Sequence, residues 1–300
     1  DDWDIPKEQG SAGRTDRQLP IVLGSVRLDR RDDFERLVSR VPRKELSSLS
    51  DRNLVRLVWK EIGSRAFDYM RGEFSICVFD RHRQECFVGR DPFGMEELYF
   101  GSGARALWVA NDINLLLSCL DISLDLDSDA CRDFLLTGNL TKFDRRQTAF
   151  SSVRQFDHGT LSKVSTRGLE SSRKWSFPDS DPAVGRLKPN EVTTVFREIL
   201  GKAVGDRIRD RRVVFMLSGG LDSTSALAAG ASVSGLSGAE CVTAMTAVSG
   251  TSDPEGILAR QVADRLSVSH VQHHNTKGKP FENWTSGPFP SCNFYGAHIS

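Results

Sequence analysis

The segment Ser218-Gly-Gly-Leu-Asp-Ser223 is the feature that most constrains this chain of 300 residues. An apolar run, residues 213–217, precedes it, and an alanine-rich helical pattern, residues 224–229, follows it. Two adjacent glycines let the backbone approach an anion, and the unpaired N–H groups at the start of a helix point at such a ligand. This order of strand, glycine turn and helix predicts a phosphate-binding loop. An ordinary glycine-containing helix cap is the alternative.

The polar side chains of this segment favour a phosphate ligand that carries magnesium. Ser218 and Ser223 can donate hydrogen bonds to phosphate oxygens. Asp222 is the local carboxylate for Mg²⁺, which prefers oxygen ligands shared between protein and phosphate. The Gly-Lys-Ser/Thr ending of a Walker loop is absent, so the loop is of another kind.

The C-terminal part of the chain alternates between strand and helix patterns. Strands are predicted at residues 213–217, 242–248 and 270–273, and helices at 192–208, 224–229 and 257–266. Such alternation indicates a parallel sheet with helical crossovers. In these sheets ligands bind at the carboxyl ends of the strands, where the glycine turn lies.

The N-terminal part is rich in strand patterns instead. Short strands are predicted at residues 19–28, 74–79, 85–89, 98–100 and 106–110, and helices at 34–41, at 51–62 with Asp51 as N-cap, at 113–119 and at 129–136. Successive short strands joined by tight turns favour an antiparallel sheet. Residues 178–189, rich in Ser, Asp, Pro and Gly, form the best linker candidate.

Composition excludes several classes of protein. The 40 basic and 40 acidic residues give a formal net charge of zero, with no general attraction to nucleic acid or anionic membranes. No apolar run reaches the length of a membrane span, and no signal peptide is visible. The six cysteines form no Cys-x-x-Cys pair, which argues against a zinc site, and Cys77 and Cys86 are interpreted as buried free thiols. We therefore expect a cytoplasmic enzyme without nucleic-acid or membrane partners.

Three segments carry a family resemblance. Ser218-Gly-Gly-Leu-Asp-Ser223 matches the loop of the ATP-pyrophosphatase families. Arg71-Gly-Glu-Phe-Ser-Ile-Cys-Val-Phe-Asp80 and Val88-Gly-Arg-Asp-Pro-Phe-Gly-Met-Glu-Glu-Leu-Tyr-Phe100 resemble the glutaminase-like domain of class B asparagine synthetases. From about Leu19 onward the chain resembles the asparagine synthetase superfamily, which also contains β-lactam synthetases and lasso-peptide cyclases.

The resemblance implies two domains and a linker. Residues 1–177 would form a degenerate type 2 glutamine amidotransferase-like domain, an α+β sandwich of the Ntn type with antiparallel sheets. Residues 178–190 would be the linker. Residues 191–300 would begin an α/β parallel-sheet domain of the ATP-pyrophosphatase, or adenine nucleotide alpha hydrolase-like, type. Family members continue into a second glycine- and acid-rich loop that completes the ATP and Mg²⁺ site, so we expect a domain truncated at its C-terminus.

The implied activity is amide formation driven by ATP. A carboxylate is adenylated with release of pyrophosphate, and ammonia or an amine then attacks the adenylate. By match to the family, ATP would contact Leu217, Ser218, Gly219, Gly220, Leu221, Asp222, Ser223 and Val248, with Asp222 also holding Mg²⁺. Expected partners are a carboxylate substrate, either aspartate or a peptide side chain, and an amine or ammonia donor. A second copy of the chain or peptide-processing proteins are further candidates.

The glutaminase half departs from the family. That chemistry uses a cysteine at the mature N-terminus, but residue 1 is Asp and the earliest cysteine is Cys77, so no catalytic residue is assigned. The family's Asn-Gly-Glu segment falls on Ser25-Val-Arg27, which reverses a charge that would hold the ammonium of glutamine. Asp51 matches the family's other ammonium-binding carboxylate and is the remnant of that pocket.

Three functions therefore remain open. In the first, the protein makes asparagine from aspartate, using either free ammonia or ammonia released from glutamine. Alternatively, the amine is intramolecular, as in lasso-peptide cyclases and β-lactam synthetases, and the degraded glutamine pocket favours this version. The third is a non-catalytic scaffold that binds a nucleotide.

Two other clusters are interpreted as structural. His270, His273 and His274 could bind a metal, but they lack helical spacing and a carboxylate partner. Arg90-Asp91 resembles a catalytic pair but lies where the family has a structural turn.

Overall fold

The computed structural model describes residues 19–39, 41–103, 106–119, 121–137, 146–165, 168–177, 179, 184–208, 212–233 and 242–274. The described residues up to Phe177 belong to one compact unit, and those from residue 179 onward belong to a second. Residues 178 and 180–183 of the linker candidate, both chain ends, Cys241 and Cys292 lie outside the described residues. Within the described part, no helix has the length and apolar character needed to cross a membrane.

The first unit contains eight strands and five α-helices among its described residues. In chain order they are β1 (Ile21–Leu28), α1 (Arg31–Glu35), α2 (Arg43–Ser48), α3 (Asp51–Ile62), β2 (Gly72–Asp80), β3 (Glu85–Arg90), β4 (Tyr99–Ser102), β5 (Leu107–Ala110), α4 (Ile113–Leu117), α5 (Ser128–Thr137), β6 (Val153–Gln155), β7 (Thr160–Ser165) and β8 (Gly168–Lys174). A 3-10 segment, Gly63–Tyr69, joins α3 to the turn before β2.

These strands form two antiparallel sheets that share a core. The larger sheet has the order β1-β2-β3-β7-β8, and the smaller has the order β5-β4-β6. Successive side chains of a strand point to opposite faces, so Phe87 packs towards α3 while Val88 packs with Leu98 and Phe156 between the sheets. The outer face of the smaller sheet is covered by α4. The layers therefore run helix, sheet, sheet, helix, and the predicted antiparallel sandwich is confirmed.

The second unit is a parallel sheet with helical crossovers. Its described elements are α6 (Pro189–Ile208), β9 (Val213–Met216), α7 (Leu221–Val233), β10 (Val242–Val248), α8 (Pro254–Leu266) and β11 (Ser269–His274), with a short 3-10 segment at Val184–Arg186. β10 pairs in parallel with both β9 and β11. The apolar core lies between the sheet and its helices and includes Leu217, Leu227, Ala244 and Ala259.

Two local expectations in the first unit are wrong. The helix expected at 34–41 is replaced by α1 and α2, because Pro42 disfavours helical backbone at the residue before it. The N-cap of α3 is Ser50, whose hydroxyl accepts the N–H of Asn53 at 3.3 Å, rather than Asp51. Asp51 is instead the first residue of the helix, which leaves its carboxylate available for other contacts.

Cys77 and Cys86 are free, as expected, and both are partly buried. Their sulfur atoms lie 3.8 Å apart on neighbouring strands β2 and β3. The two free thiols therefore lie side by side in the first unit.

Candidate functional site

The glycine loop lies between the end of β9 and the start of α7. Gly219 has a φ of 75°, a conformation that side-chain-bearing residues rarely adopt. A Cβ there would lie 2.8 Å from Leu258 Cβ and 3.3 Å from the backbone nitrogen of Ala259. The loop is therefore pressed against α8, and both the dihedral angle and the space require glycine.

The two serines of the loop gather polar groups at one place. The N–H of Ser218 donates to Ser223 Oγ at 3.3 Å, and the two hydroxyl oxygens lie 3.2 Å apart. The N–H of Gly220 donates to Ser218 Oγ at 3.4 Å. Two hydroxyls and two backbone N–H groups thus lie together at the N-terminal end of α7, where the helix dipole favours an anion.

Asp222 and Leu221 are exposed in the first turn of α7. Across the described residues, the carboxylate of Asp222 makes no hydrogen bond or ion pair. No group of three or more His, Cys, Asp or Glu side chains in the described ranges is arranged to hold a metal ion. A single open carboxylate suits Mg²⁺ that arrives with phosphate oxygens, because Mg²⁺ is usually bound through one or two carboxylates plus substrate phosphates.

The two other residues predicted to contact the nucleotide have buried side chains. Leu217 and Val248 are each 2% exposed. Val248 packs against Gly256, the third residue of α8, where a Cβ would lie 2.6 Å from Val248 Cγ1. The side chains of Leu217 and Val248 therefore pack in the interior of the second unit.

Two residues beside the loop were not singled out from the sequence. Asp253 is the N-cap of α8 and accepts the N–H and hydroxyl of Ser249 at 2.9 and 2.8 Å, which lowers its pKa below the usual range. Thr224, in the first turn of α7, has a buried hydroxyl with no hydrogen-bond partner in the described part of the chain. A hydroxyl next to Ser223 is the sequence signal that could have identified Thr224.

Asp51, the residue predicted as a remnant of a glutamine pocket, is contacted by the protein's own groups. Asp51 Oδ1 accepts the guanidinium of Arg31 at 2.6 Å, and Asp51 Oδ2 accepts the N–H of Leu28 at 2.8 Å. Arg31 also donates to Glu35 at 2.7 Å and to the carbonyl of Leu46 at 2.6 Å. The Arg31 guanidinium therefore lies against Asp51 where an ammonium group would be needed.

The reversed charge at Arg27 is compensated by two acidic neighbours. Its guanidinium lies 2.6 Å from Asp29 and 2.8 Å from Glu73, and the three side chains are between 14% and 24% exposed. Glu73 lies opposite Arg27 in the register of β1 and β2. The substitution is thus a paired cation within the sheet, so the cost of an unpaired buried charge does not arise.

The two remaining clusters are the Arg90–Asp91 pair and the histidines of β11. The Arg90 side chain donates to backbone carbonyls, and the Asp91 carboxylate accepts backbone N–H groups; the partners are Gly94, Glu96 and Phe156 for Arg90, and Phe93, Met95 and Glu96 for Asp91. His273 and His274 are exposed on β11. The contacts of Arg90 and Asp91 agree with their interpretation as a structural turn, and the interpretation of the histidines stays a prediction.

Comparisons with known proteins match both parts of the chain. The glutamine amidotransferase domain family matches residues 34–176, and the asparagine synthase family matches residues 195–285. Asparagine synthetase [glutamine-hydrolyzing] 2 of Bacillus subtilis is 24% identical over 64% of this chain and 27% of its own length. Asparagine synthetase [glutamine-hydrolyzing] of Zea mays is 27% identical over 81% of this chain and 37% of its own length. Amidase chry2 of Gibberella zeae is 29% identical over 59% of this chain and 26% of its own length.

The chain thus spans about a quarter to a third of the length of these curated relatives. The two family matches follow the same order as the antiparallel unit and the parallel unit. Together with the named relatives, they support the asparagine synthetase superfamily as the family that both parts of this chain resemble.

Proposed function

We propose that this chain contributes the pyrophosphate-binding loop of a ligase that adenylates a carboxylate with ATP for attack by ammonia or an amine. The observation that carries the proposal is the loop from Ser218 to Ser223. It combines a glycine held in a left-handed conformation, clustered N–H and hydroxyl donors, and an exposed, unengaged Asp222.

In the proposed first step, a carboxylate oxygen of the substrate attacks the α-phosphorus of ATP, and the bond from that phosphorus to the bridging oxygen of pyrophosphate breaks. Negative charge then accumulates on the leaving pyrophosphate. The N–H groups of Ser218 and Gly220 and the hydroxyls of Ser218 and Ser223 would bind these oxygens as the charge develops. Asp222 would hold Mg²⁺, which supplies further neutralisation of the phosphate charge.

In the second step, a neutral amine attacks the acyl-adenylate carbonyl, AMP leaves, and the nitrogen loses a proton to give an amide. The relatives' names include the words asparagine synthetase and glutamine-hydrolyzing. Aspartate is therefore the first carboxylate substrate to test, with ammonia as the first nucleophile.

The pairing of Arg31 with Asp51 favours a particular source for the amine. Because both carboxylate oxygens of Asp51 already accept protein donors, the first unit offers no free carboxylate there for the ammonium of glutamine. This favours an amine that does not come from glutamine, either free ammonia or an amine carried by the substrate itself, as in cyclising relatives of the family.

The proposal is tested by exchange of labelled pyrophosphate into ATP, measured with the full-length protein, Mg²⁺ and a panel of carboxylates. Exchange with aspartate would support asparagine formation. Exchange only with a peptide or a β-amino acid would support an intramolecular amine. With aspartate, ammonium chloride should support amide formation, whereas a substrate that carries its own amine should need no added nitrogen donor. In neither case should glutamine at the same concentration act as the donor.

Two outcomes would contradict the proposal. If ATP binds in calorimetry but no carboxylate supports exchange, the protein is a nucleotide-binding scaffold. If neither ATP nor pyrophosphate binds, the assignment of the loop is wrong. Glutamine-dependent amide formation would contradict only the inference about the amine source.

A further inference from the structure

The residue that leads into the glycine loop is held by β10 through both of its backbone polar groups. The N–H of Leu217 donates to the carbonyl of Met245 at 2.8 Å. The carbonyl of Leu217 accepts the hydroxyl of Thr246 at 2.5 Å. β9 ends one residue earlier, at Met216, so these contacts hold the residue just past the end of the strand. They therefore set the direction of the chain as it enters the loop.

Thr246 is in turn contacted by a histidine on the next strand. Thr246 Oγ1 lies 2.9 Å from His270 Nε2, and Thr246 is 2% exposed. A carbonyl oxygen can only accept, so the single hydroxyl proton of Thr246 must go to Leu217. The hydroxyl oxygen then accepts from His270, which assigns the proton of the imidazole to Nε2.

The surroundings of the other ring nitrogen of His270, Nδ1, indicate that the imidazole is neutral. His270 Nδ1 is buried and has no hydrogen-bond partner among the described residues. Burial lowers the pKa of His270, and the positive charge of Arg260 lowers it further, against an opposing contribution from Asp264. Nδ1 therefore stays unprotonated at neutral pH, while Nε2 keeps its donor role.

The geometry of the peptide bond transmits this restraint into the loop. The carbonyl of Leu217 and the N–H of Ser218 belong to one planar trans peptide, so they point in opposite directions. Fixing the carbonyl against Thr246 therefore fixes the N–H of Ser218. That N–H points to Ser223 Oγ, among the donors that would bind pyrophosphate.

We propose that Thr246 and His270 are positioning residues that orient the first N–H donor of the loop through the Leu217–Ser218 peptide. His270 holds the Thr246 hydroxyl in the rotamer that reaches Leu217. This role rests on the proposed function and deepens it. Neither residue needs to touch the nucleotide.

Loss of this orientation should lower the rate of exchange more than it weakens the binding of ATP. A donor that is aimed at charge developing on pyrophosphate affects the chemical step more than the binding of ATP. Thr246→Val removes the hydroxyl and keeps the shape, so the kcat of ATP–pyrophosphate exchange should fall about tenfold, the size of one hydrogen bond of about 1.4 kcal/mol. KM for ATP should change less than about twofold. Thr246→Ser should restore most of the rate.

The role of His270 is separated by a double-mutant cycle. His270→Ala should lower kcat by a smaller factor than Thr246→Val. The double variant should be no slower than Thr246→Val alone, because His270 acts through that hydroxyl. Thr243→Val, on the same strand but outside this chain of contacts, is the matched control and should leave kcat unchanged.

A readout without turnover completes the test. Calorimetry with inorganic pyrophosphate and Mg²⁺ should show weaker binding to Thr246→Val than to the wild type, with urea midpoints measured for every variant. If Thr246→Val loses stability but keeps kcat and pyrophosphate affinity, the residues are only structural and the inference is wrong. Independent, additive effects of the two substitutions would also overturn it. If the wild type itself binds neither ATP nor pyrophosphate, the proposed function fails and the inference fails with it.

Discussion

Asp222 and Asp51 are two carboxylates that begin helices, and the protein surrounds them in opposite ways. Asp222 is exposed in the first turn of α7, and its carboxylate is not engaged by any of the described residues. Asp51 begins α3 and has both oxygens taken by Arg31 and the N–H of Leu28. The sequence analysis predicted both residues as binding carboxylates, yet of the two only Asp222 is without a partner among the described residues.

The difference lies in the donors that folding places beside each carboxylate. Asp51, Arg31 and Glu35 have side chains between 5% and 14% exposed, so their charges are paired within the unit. A charge that is paired internally stabilises its surroundings and is less available to a ligand. A charge kept open contributes little to stability and can bind a metal ion. The predictions below test this contrast.

Replacement of Asp51 with Ala should produce the largest effect, and on stability rather than activity. It leaves the Arg31 guanidinium and the N–H of Leu28 without their partner, which should lower the free energy of unfolding by about 3 kcal/mol. Urea unfolding followed by tryptophan fluorescence measures this, since Trp59 in α3 is fully buried. Asp51→Asn, which keeps an acceptor, should lose less. A loss below about 1 kcal/mol would contradict the assignment of a buried ion pair.

Replacement of Asp222 with Asn should lower activity and leave stability nearly unchanged, which is the reverse of the effect expected for Asp51→Ala. The rate of ATP–pyrophosphate exchange should fall roughly a hundredfold, the scale of one electrostatic contact in a phosphoryl or acyl-transfer site. Because the side chain is exposed, the free energy of unfolding should change by less than about 0.5 kcal/mol. Exchange that survives the substitution would show that Asp222 is as dispensable for ligand binding as we expect Asp51 to be.

Replacement of Gly219 with Ala tests whether the glycine loop depends on the left-handed backbone conformation of this residue. The φ of 75° and the approach of Leu258 both disfavour a Cβ, so the free energy of unfolding should fall by about 2 kcal/mol and pyrophosphate binding should weaken. Gly250→Ala is the matched control, because a Cβ there meets no atom within 4 Å. Equal stability of the two variants in a thermal melt would exclude strain at Gly219.

A third carboxylate, Asp253, should give the smallest effect and a dependence on pH. Hydrogen bonds from Ser249 lower its pKa in the folded state, so its contribution is present above the unfolded pKa of about 3.9. That contribution is lost as the pH falls through the lower folded pKa. The difference in melting temperature between wild type and Asp253→Asn should therefore shrink below about pH 4. A difference that stays constant from about pH 7 to pH 3 would contradict this.

Local patterns predicted most elements of both units. Alternation of apolar residues located β2, β3, β4 and β5, and helical spacing located α3, α6 and α8. The errors occurred where local signals compete: Pro42 interrupts an otherwise helical pattern, and Ser50 and Asp51 are both good N-caps. The order of strand, glycines and helix was sufficient to locate the candidate phosphate loop.

The pairings that distinguish the two sites depend on contacts distant in the sequence. Arg31 lies 20 residues before Asp51, and Thr246 lies 24 residues before His270. No periodicity links such residues, because each pair is formed by the packing of separate elements. The histidine cluster shows the consequence. Of its three members, His270 contacts Thr246, whereas His273 lies on the opposite face of β11 and His274, four residues further along on the same face as His270, is exposed.

The amino-acid sequence alone was enough to predict the two kinds of sheet, the family resemblance and the place where phosphate is expected to bind. These follow from short-range patterns, since strand alternation, helix spacing and glycine conformations depend on neighbouring residues. The tertiary structure decided which charges remain available. It paired Asp51 with Arg31 and Arg27 with Glu73, left Asp222 exposed, and linked Thr246 and His270 to the loop. The physical reason is that the availability of a charge depends on the donors and acceptors that folding brings within about 3 Å of it.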